Sequence, residues 1–245
     1  MSRATRAFRI SGKIIKYLFI LLIVAINVFL LWRIFSSSDP SSMNSLSPNE
    51  SIVSAYERDG DLKGMFRQEQ RSITSGEKNY GYFSVTKATF IPSANQIQIV
   101  VRYNNSTLRH TQEDFGLDSA PSRDDDVFDV SLFLVTDLTP DNPDDNLTLS
   151  EESTKEYRIH PSYTQKDQKN LYNFRLFVFD LGELDLASVL NDGTLLAVYT
   201  DIYYSGALDY ESTPYGTLCL YDYKTETIDV KLTSREKKIF DEWRS

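Results

Sequence analysis

Cysteine is almost missing from this chain: Cys219 is the single copy in 245 residues. An internal disulfide is therefore excluded, and a low-cysteine exterior fits a Gram-positive envelope better than a disulfide-built eukaryotic surface domain. Histidine is nearly as scarce. His110 and His160 lie fifty residues apart, whereas zinc needs three or four ligands held closely together. Cys219, between Leu218 and Leu220 in an apolar alternating run, reads as a small buried side chain rather than a nucleophile served by either histidine. No Gly-x-Ser-x-Gly stretch occurs, so the nucleophile-elbow arrangement of serine hydrolases is absent too. The two-cysteine-and-tryptophan signature of true immunoglobulin domains is also missing.

Acidic residues are absent from the first 35 positions, which hold six of the 26 Lys and Arg residues. The remainder carries all 35 Asp and Glu residues and a formal charge of −15. Phosphates would be repelled by that charge, which argues against a nucleic-acid partner and against docking on anionic lipid. Its ordinary role is solubility. Sequons at Asn49, Asn104, Asn105 and Asn146 are a common by-product of Asn- and Ser/Thr-rich sequence, and carry little weight for glycosylation.

Long hydrophobic runs are lacking except one. Residues 16 to 35 read KYLFILLIVAINVFLLWRIF, and Asn27 is the one polar residue between Tyr17 and Trp32. Residues 14–35 would form roughly 33 Å of helix, enough for a bilayer core of about 30 Å. Lys16 and Arg33 are placed to snorkel, and Tyr17 and Trp32 to sit in an aromatic belt. A cleavable signal peptide shares the basic start, but its apolar segment is shorter and ends at a small-residue site. Here the run ends in Leu-Leu-Trp-Arg-Ile-Phe, so a retained anchor is the expectation. The basic flank of residues 1–13 places the N-terminus in the cytoplasm and the bulk of the chain outside. Asn27 reads either as a tolerated amide or as a helix–helix contact.

The segment FSSSDPSSMNSLSPNES, residues 35–51, has the composition of a flexible tether, and 52–75 is mixed and charged, with room for a short helix. A period of two then takes over. Strands are expected at 80–91, 96–103, 127–135, 171–181, 194–204, 216–223 and 227–232, with a weaker one at 156–162. The last two should close a hairpin around Lys224 and Thr225. This pattern predicts an all-β class, an antiparallel β-sandwich that is immunoglobulin-like in the broad sense, spanning 76–232. Thr233 with Glu236 three residues later is a capping box. It opens a C-terminal helix (233–245) whose apolar side would carry Leu232, Ile239, Phe240 and Trp243.

Three sets of residues could carry function. The oxygen-rich loops at 118–129 and 137–146 offer Asp124, Asp125, Asp126, Asp141, Asp144 and Asp145 as calcium ligands, without EF-hand spacing; no other cofactor is indicated. The tyrosine-rich stretch 199–223 offers Tyr204, Asp209, Tyr210, Glu211 and Tyr215 in a loop for recognition. Asn27 is the third. A binding or accessory module of the cell envelope, contacting another envelope or membrane protein or a glycan, follows by elimination of catalytic patterns. A regulator acting on a membrane partner through the Asn27 helix is one alternative. A glycan or cell-wall hydrolase using a carboxylate pair is the other.

Overall fold

The computed structural model describes residues 3–37, 39–75, 78–137, 154–207, 214 and 216–244. The chain forms two compact units, Met1–Ser38 and Asp39–Ser245. The first is a single helix, α1 (Arg3–Ser37). Its stretch from Ile15 to Arg33 has a mean hydropathy of 2.4 and is exposed along its length. Among the described residues it is the one helix long and apolar enough to cross a membrane.

The second unit is mostly β. In chain order it runs α2 (Glu50–Asp59), β1 (Phe66–Ser75), β2 (Lys78–Ile91), β3 (Gln96–Asn104), α3 (Asn105–Phe115), β4 (Phe128–Asp137) and β5 (Thr154–Ile159). Then follow β6 (Tyr163–Lys169), β7 (Tyr172–Asp180), α4 (Leu186–Asn191), β8 (Leu195–Tyr204), β9 (Gly216–Asp222) and α5 (Ser234–Arg244). All strand pairs are antiparallel. One sheet has the order β1-β2-β3-β7-β6 and the other β5-β4-β8-β9.

Alternation sets which side chains meet. Ile97, Ile99, Val101 and Tyr103 of β3, with Phe177 and Phe179 of β7, share one apolar cluster with Val130, Leu132 and Leu134 of β4 and Val198 and Ile202 of β8. The opposite face of the five-stranded sheet is buried as well. Val100, Phe174, Leu176 and Val178 enclose Met43. Further along, α2 and α5 pack Ile52, Ala55 and Phe240 with Leu46, Met65 and Ile91. Both faces of β3 and β7 are buried, so polar residues such as Gln96, Gln98, Asn173 and Arg175 are buried along with the apolar ones.

Several elements depart from the sequence reading. Residues 39–49 are not a loose tether: Met43 and Leu46 are buried, and α2 starts at once, with Asn49 Oδ1 accepting from Ile52 N at 3.0 Å. Ser- and Pro-rich composition marked that segment as solvated, but two apolar residues among the polar ones suffice to dock it. Strands β1 and β6 were missed because both are edge strands and carry the polar side chains that edges need. The helices α3 and α4 were missed too. Asn104 caps α3, its Oδ1 accepting from Ser106 N at 2.8 Å and Thr107 N at 3.2 Å. The strand expected at 227–232 does not form. After the turn at Lys224 the chain runs to the start of β1, making a single bridge between Asp229 and Phe66 and a 2.7 Å bond from Val230 N to Met65 O. The Thr233–Glu236 capping box is present, and Leu232 and Phe240 are buried, but Trp243 is 57% exposed.

Candidate functional site

A cleft of about 480 Å³ opens where α2 ends, β1 begins and α4 lies beside the β2–β3 turn. Local sequence builds each wall. Gly60 ends α2 in the left-handed region (φ 70°), its N–H donating to Tyr56 O at 2.8 Å. The β2–β3 turn, Pro92-Ser93-Ala94, closes through Asn95 at φ 52°. Asn95 then holds α4 in place: its Oδ1 accepts from Leu186 N at 2.9 Å and its Nδ2 donates to Gly182 O at 3.1 Å. Asp185 caps α4.

Phe66, Tyr221, Leu190 and Pro92 supply the apolar lining, and Asp59, Lys63, Ser93, Asn191, Thr227 and Asp229 the polar one. Phe66 is fixed by stacking on Phe90, with centroids 4.5 Å apart. Lys63 Nζ and Arg58 Nη2 each lie 3.1 Å from the Asp59 carboxylate, and Arg58 also donates to Ser93 O at 3.1 Å. Hydrogen bonds from Lys63 and then Arg58 hold the Asp59 carboxyl below the usual range, so it offers acceptor oxygens and no proton. Burial, then Asp222, pushes the Tyr221 hydroxyl up, so it keeps its proton at neutral pH. Asp229 has no cation paired with it among the described residues. The lining therefore combines the carboxylates of Asp59 and Asp229, the Lys63 ammonium, an amide and hydroxyls against an apolar wall, a surface suited to a polar group with donors and acceptors of its own.

A second polar grouping lies on the outward face of the four-stranded sheet. Arg158 Nη1 of β5 donates to Ser131 Oγ at 3.1 Å on β4, and to Asp201 Oδ2 at 3.2 Å and the Tyr203 hydroxyl at 2.5 Å on β8. Thr217 of β9 donates to Asp201 Oδ1 at 2.8 Å. The guanidinium also lies 5.5 Å from the Phe133 ring centre. One side chain thus ties together three strands, while Asp201 reaches the fourth.

Of the residues singled out in the sequence, the structure describes Asn27, Asp124, Asp125, Asp126 and Tyr204. Tyr204 belongs to the edge of the core, its ring 4.6 Å from that of Phe115 on α3; Asp209, Tyr210, Glu211 and Tyr215 lie outside the described residues. Asp141, Asp144 and Asp145 lie outside them as well. Asp126 Oδ1 sits 3.3 Å from Arg175 Nη1 and acts as counter-ion to an arginine whose side chain is only 6% exposed. Asp125 accepts from Ser122 N at 3.0 Å, and Asp124 from Gln168 Nε2 at 3.1 Å. Among the described residues no three His, Cys, Asp or Glu side chains converge to hold a metal ion. Asn27 Nδ2 donates to Ile23 O of its own helix at 2.8 Å.

The cleft and the Arg158 grouping were missed in the sequence. Asp201 left a signal, a carboxylate inside the apolar run LLAVYTDIYY, and Asp59 with Lys63 shows the i,i+4 ion-pair spacing. Asn191 and Asp229 left none. No family model, no curated protein and no solved structure matches the chain.

Proposed function

We propose that this chain is a single-pass binding module of a bacterial envelope, with its N-terminus in the cytoplasm and an immunoglobulin-like sandwich, in the broad sense, on the outer side. The observation that carries the reading is the pairing of an uncovered apolar helix, Ile15–Arg33, with a separate compact β unit that has a cleft of its own. Six basic residues and no acid in positions 1–35 support the orientation. The cleft lining suits a glycan or a polar segment of another envelope protein, which would be met by Asp59, Asn191 and Asp229. Held ionised by Lys63 and Arg58, the Asp59 carboxyl would accept hydrogen bonds from such a ligand and not donate a proton to it.

Crosslinking in native membranes followed by recovery tests this reading, comparing the whole chain with the soluble unit 39–245 and with an Asn191→Ala/Asp229→Asn version of it. Recovery of one partner by both unaltered forms, reduced in the altered one, is the expected result. A partner held only by the whole chain would move recognition into the bilayer. That outcome belongs to the alternative of a regulator working through Asn27, whose Oδ1 remains to accept from a second helix after Nδ2 has bonded Ile23. Asn27→Leu would then abolish recovery.

A further inference from the structure

Residues 39–47 lie across the outer face of the five-stranded sheet, held in an unusual way. No strand ladder binds them; side chains from the sheet and from α5 grip their backbone. Lys87 Nζ donates to Met43 O at 2.8 Å. The Gln98 amide makes a paired contact with Ser47, accepting from its N–H at 2.9 Å and donating to its C=O at 3.0 Å. Glu236 Oε1 accepts from Leu46 N at 3.3 Å. At the near end, Thr86 Oγ1 donates to Asp39 Oδ2 at 3.0 Å, and Ser42 Oγ donates to Asp167. Only Met43 drops into the groove formed by Val100, Phe174, Leu176 and Val178.

The sheet is shaped for this segment. Strand β2 shifts register between Val85 and Lys87, so Thr86 is an extra residue opposite β3. The bulge lets the neighbours Thr86 and Lys87 both reach the segment, which a regular strand would forbid. Gln98, buried in mid-strand where an apolar residue is the norm, spends its amide on Ser47. Glu236 is 1% exposed and is shared between the α5 cap, Arg67 at 2.6 Å and the segment.

We propose that residues 39–47 are a detachable latch, a peptide bound in cis in a groove of its own domain. The covalent path from α1 to the β unit runs through this segment, so a pull on α1 loads it before any strand. Two apolar anchors, Met43 and Leu46, and bonds to side chains let go more readily than the nine-residue ladder between β3 and β7. Release uncovers Val100, Phe174, Leu176 and Val178 and returns Lys87 to water, while the inner cluster between the sheets stays packed. The latch thus gives the module two folded states, and it holds whichever partner the cleft takes.

Hydrogen exchange of the full chain in lipid nanodiscs, read across a urea series below the unfolding midpoint, tests it. The amides of Met43, Leu46 and Ser47 should exchange at least ~100-fold faster than those of Ile99 to Val101, with a weaker dependence on urea, as for an opening that exposes only part of the surface that unfolding does. Met43→Ser should speed latch exchange by ~tenfold or more and leave Ile99 to Val101 unchanged. Latch amides that share the rate and urea dependence of β3 in the unaltered chain would overturn the proposal, whatever the variant does. Equal acceleration of both regions by Met43→Ser would overturn it too.

Discussion

The outward face of the five-stranded sheet is roofed by chain from both ends of the β unit, residues 39–49 with α2 on one side and α5 on the other, and the roof is pinned by Glu236, Lys87 and Gln98. The four-stranded sheet instead presents Phe133, Tyr199, Tyr203, Asp201 and Arg158, tied to one another across its strands. One face is stabilised by burial beneath non-strand segments, the other by a polar network within the sheet. The contrast teaches that two sheets sharing one apolar cluster can be finished on the outside by different physics, and that each finish fails differently.

The sharpest way to break the comparison is Glu236→Ala. It strands the Arg67 guanidinium, which is largely buried, and orphans Leu46 N and the α5 cap in one step. A loss of about 3–5 kcal/mol is expected from urea unfolding of the 39–245 unit. Phe174→Ala empties the wall of the Met43 groove and should cost about 3–4 kcal/mol in the same assay. On the other sheet, Arg158→Ala should cost less, about 1–2 kcal/mol, because Arg158 is one-third exposed and water replaces part of its bonding. If Arg158→Ala proved the worst of the three, the contrast between the faces would be reversed.

Alkaline pH separates the faces by sign. Burial raises the Tyr203 hydroxyl above its ordinary 10.0, so the folded state keeps a proton that the unfolded chain gives up. Tyr203 therefore supports the fold below about pH 10, and that support is lost as pH climbs through the raised value. Burial, then Arg67, lowers Lys87 below its ordinary 10.5. The unfolded chain then binds more protons, so the Lys87 contribution improves as pH rises towards 10.5. Unfolding free energies measured between neutral pH and 11 should show a shallower alkaline loss for Tyr203→Phe and a steeper one for Lys87→Met. The smallest expected effect is at the caps: Asn49→Ala and Asn104→Ala should each cost about 1 kcal/mol, since both side chains accept from helix N-termini. Two of the sequons are thus read by the fold as helix caps.

Strands whose side chains feed the shared apolar cluster were the legible ones. β2, β3, β4, β7, β8 and β9 fall within a few residues of their expected bounds, because each alternates or runs apolar under the pressure of a shared cluster. β1 and β6 escaped because an edge strand is specified by its neighbour's unpaired backbone more than by its own side chains. The site was far less legible. Asp59, Asn191 and Asp229 come from three separate stretches of chain, and only the α2 end, α4 and the bridge from Asp229 to Phe66 bring them to one cleft.

By itself the sequence determined the apolar helix, since a run of that length and hydropathy has one thermodynamic outcome in lipid. It also determined most inner strands and the α5 capping box, because hydrophobic period and capping are local rules. Tertiary structure decided the rest. A Ser- and Pro-rich stretch became a docked strap because Met43 found a groove that no local rule foresees. An acidic loop supplied the counter-ion of buried Arg175. A mid-strand carboxylate, Asp201, became the hub of a cross-strand network. In each case the partner lies dozens of residues away or more, or on another strand, and long-range pairing is what a sequence read in windows does not contain.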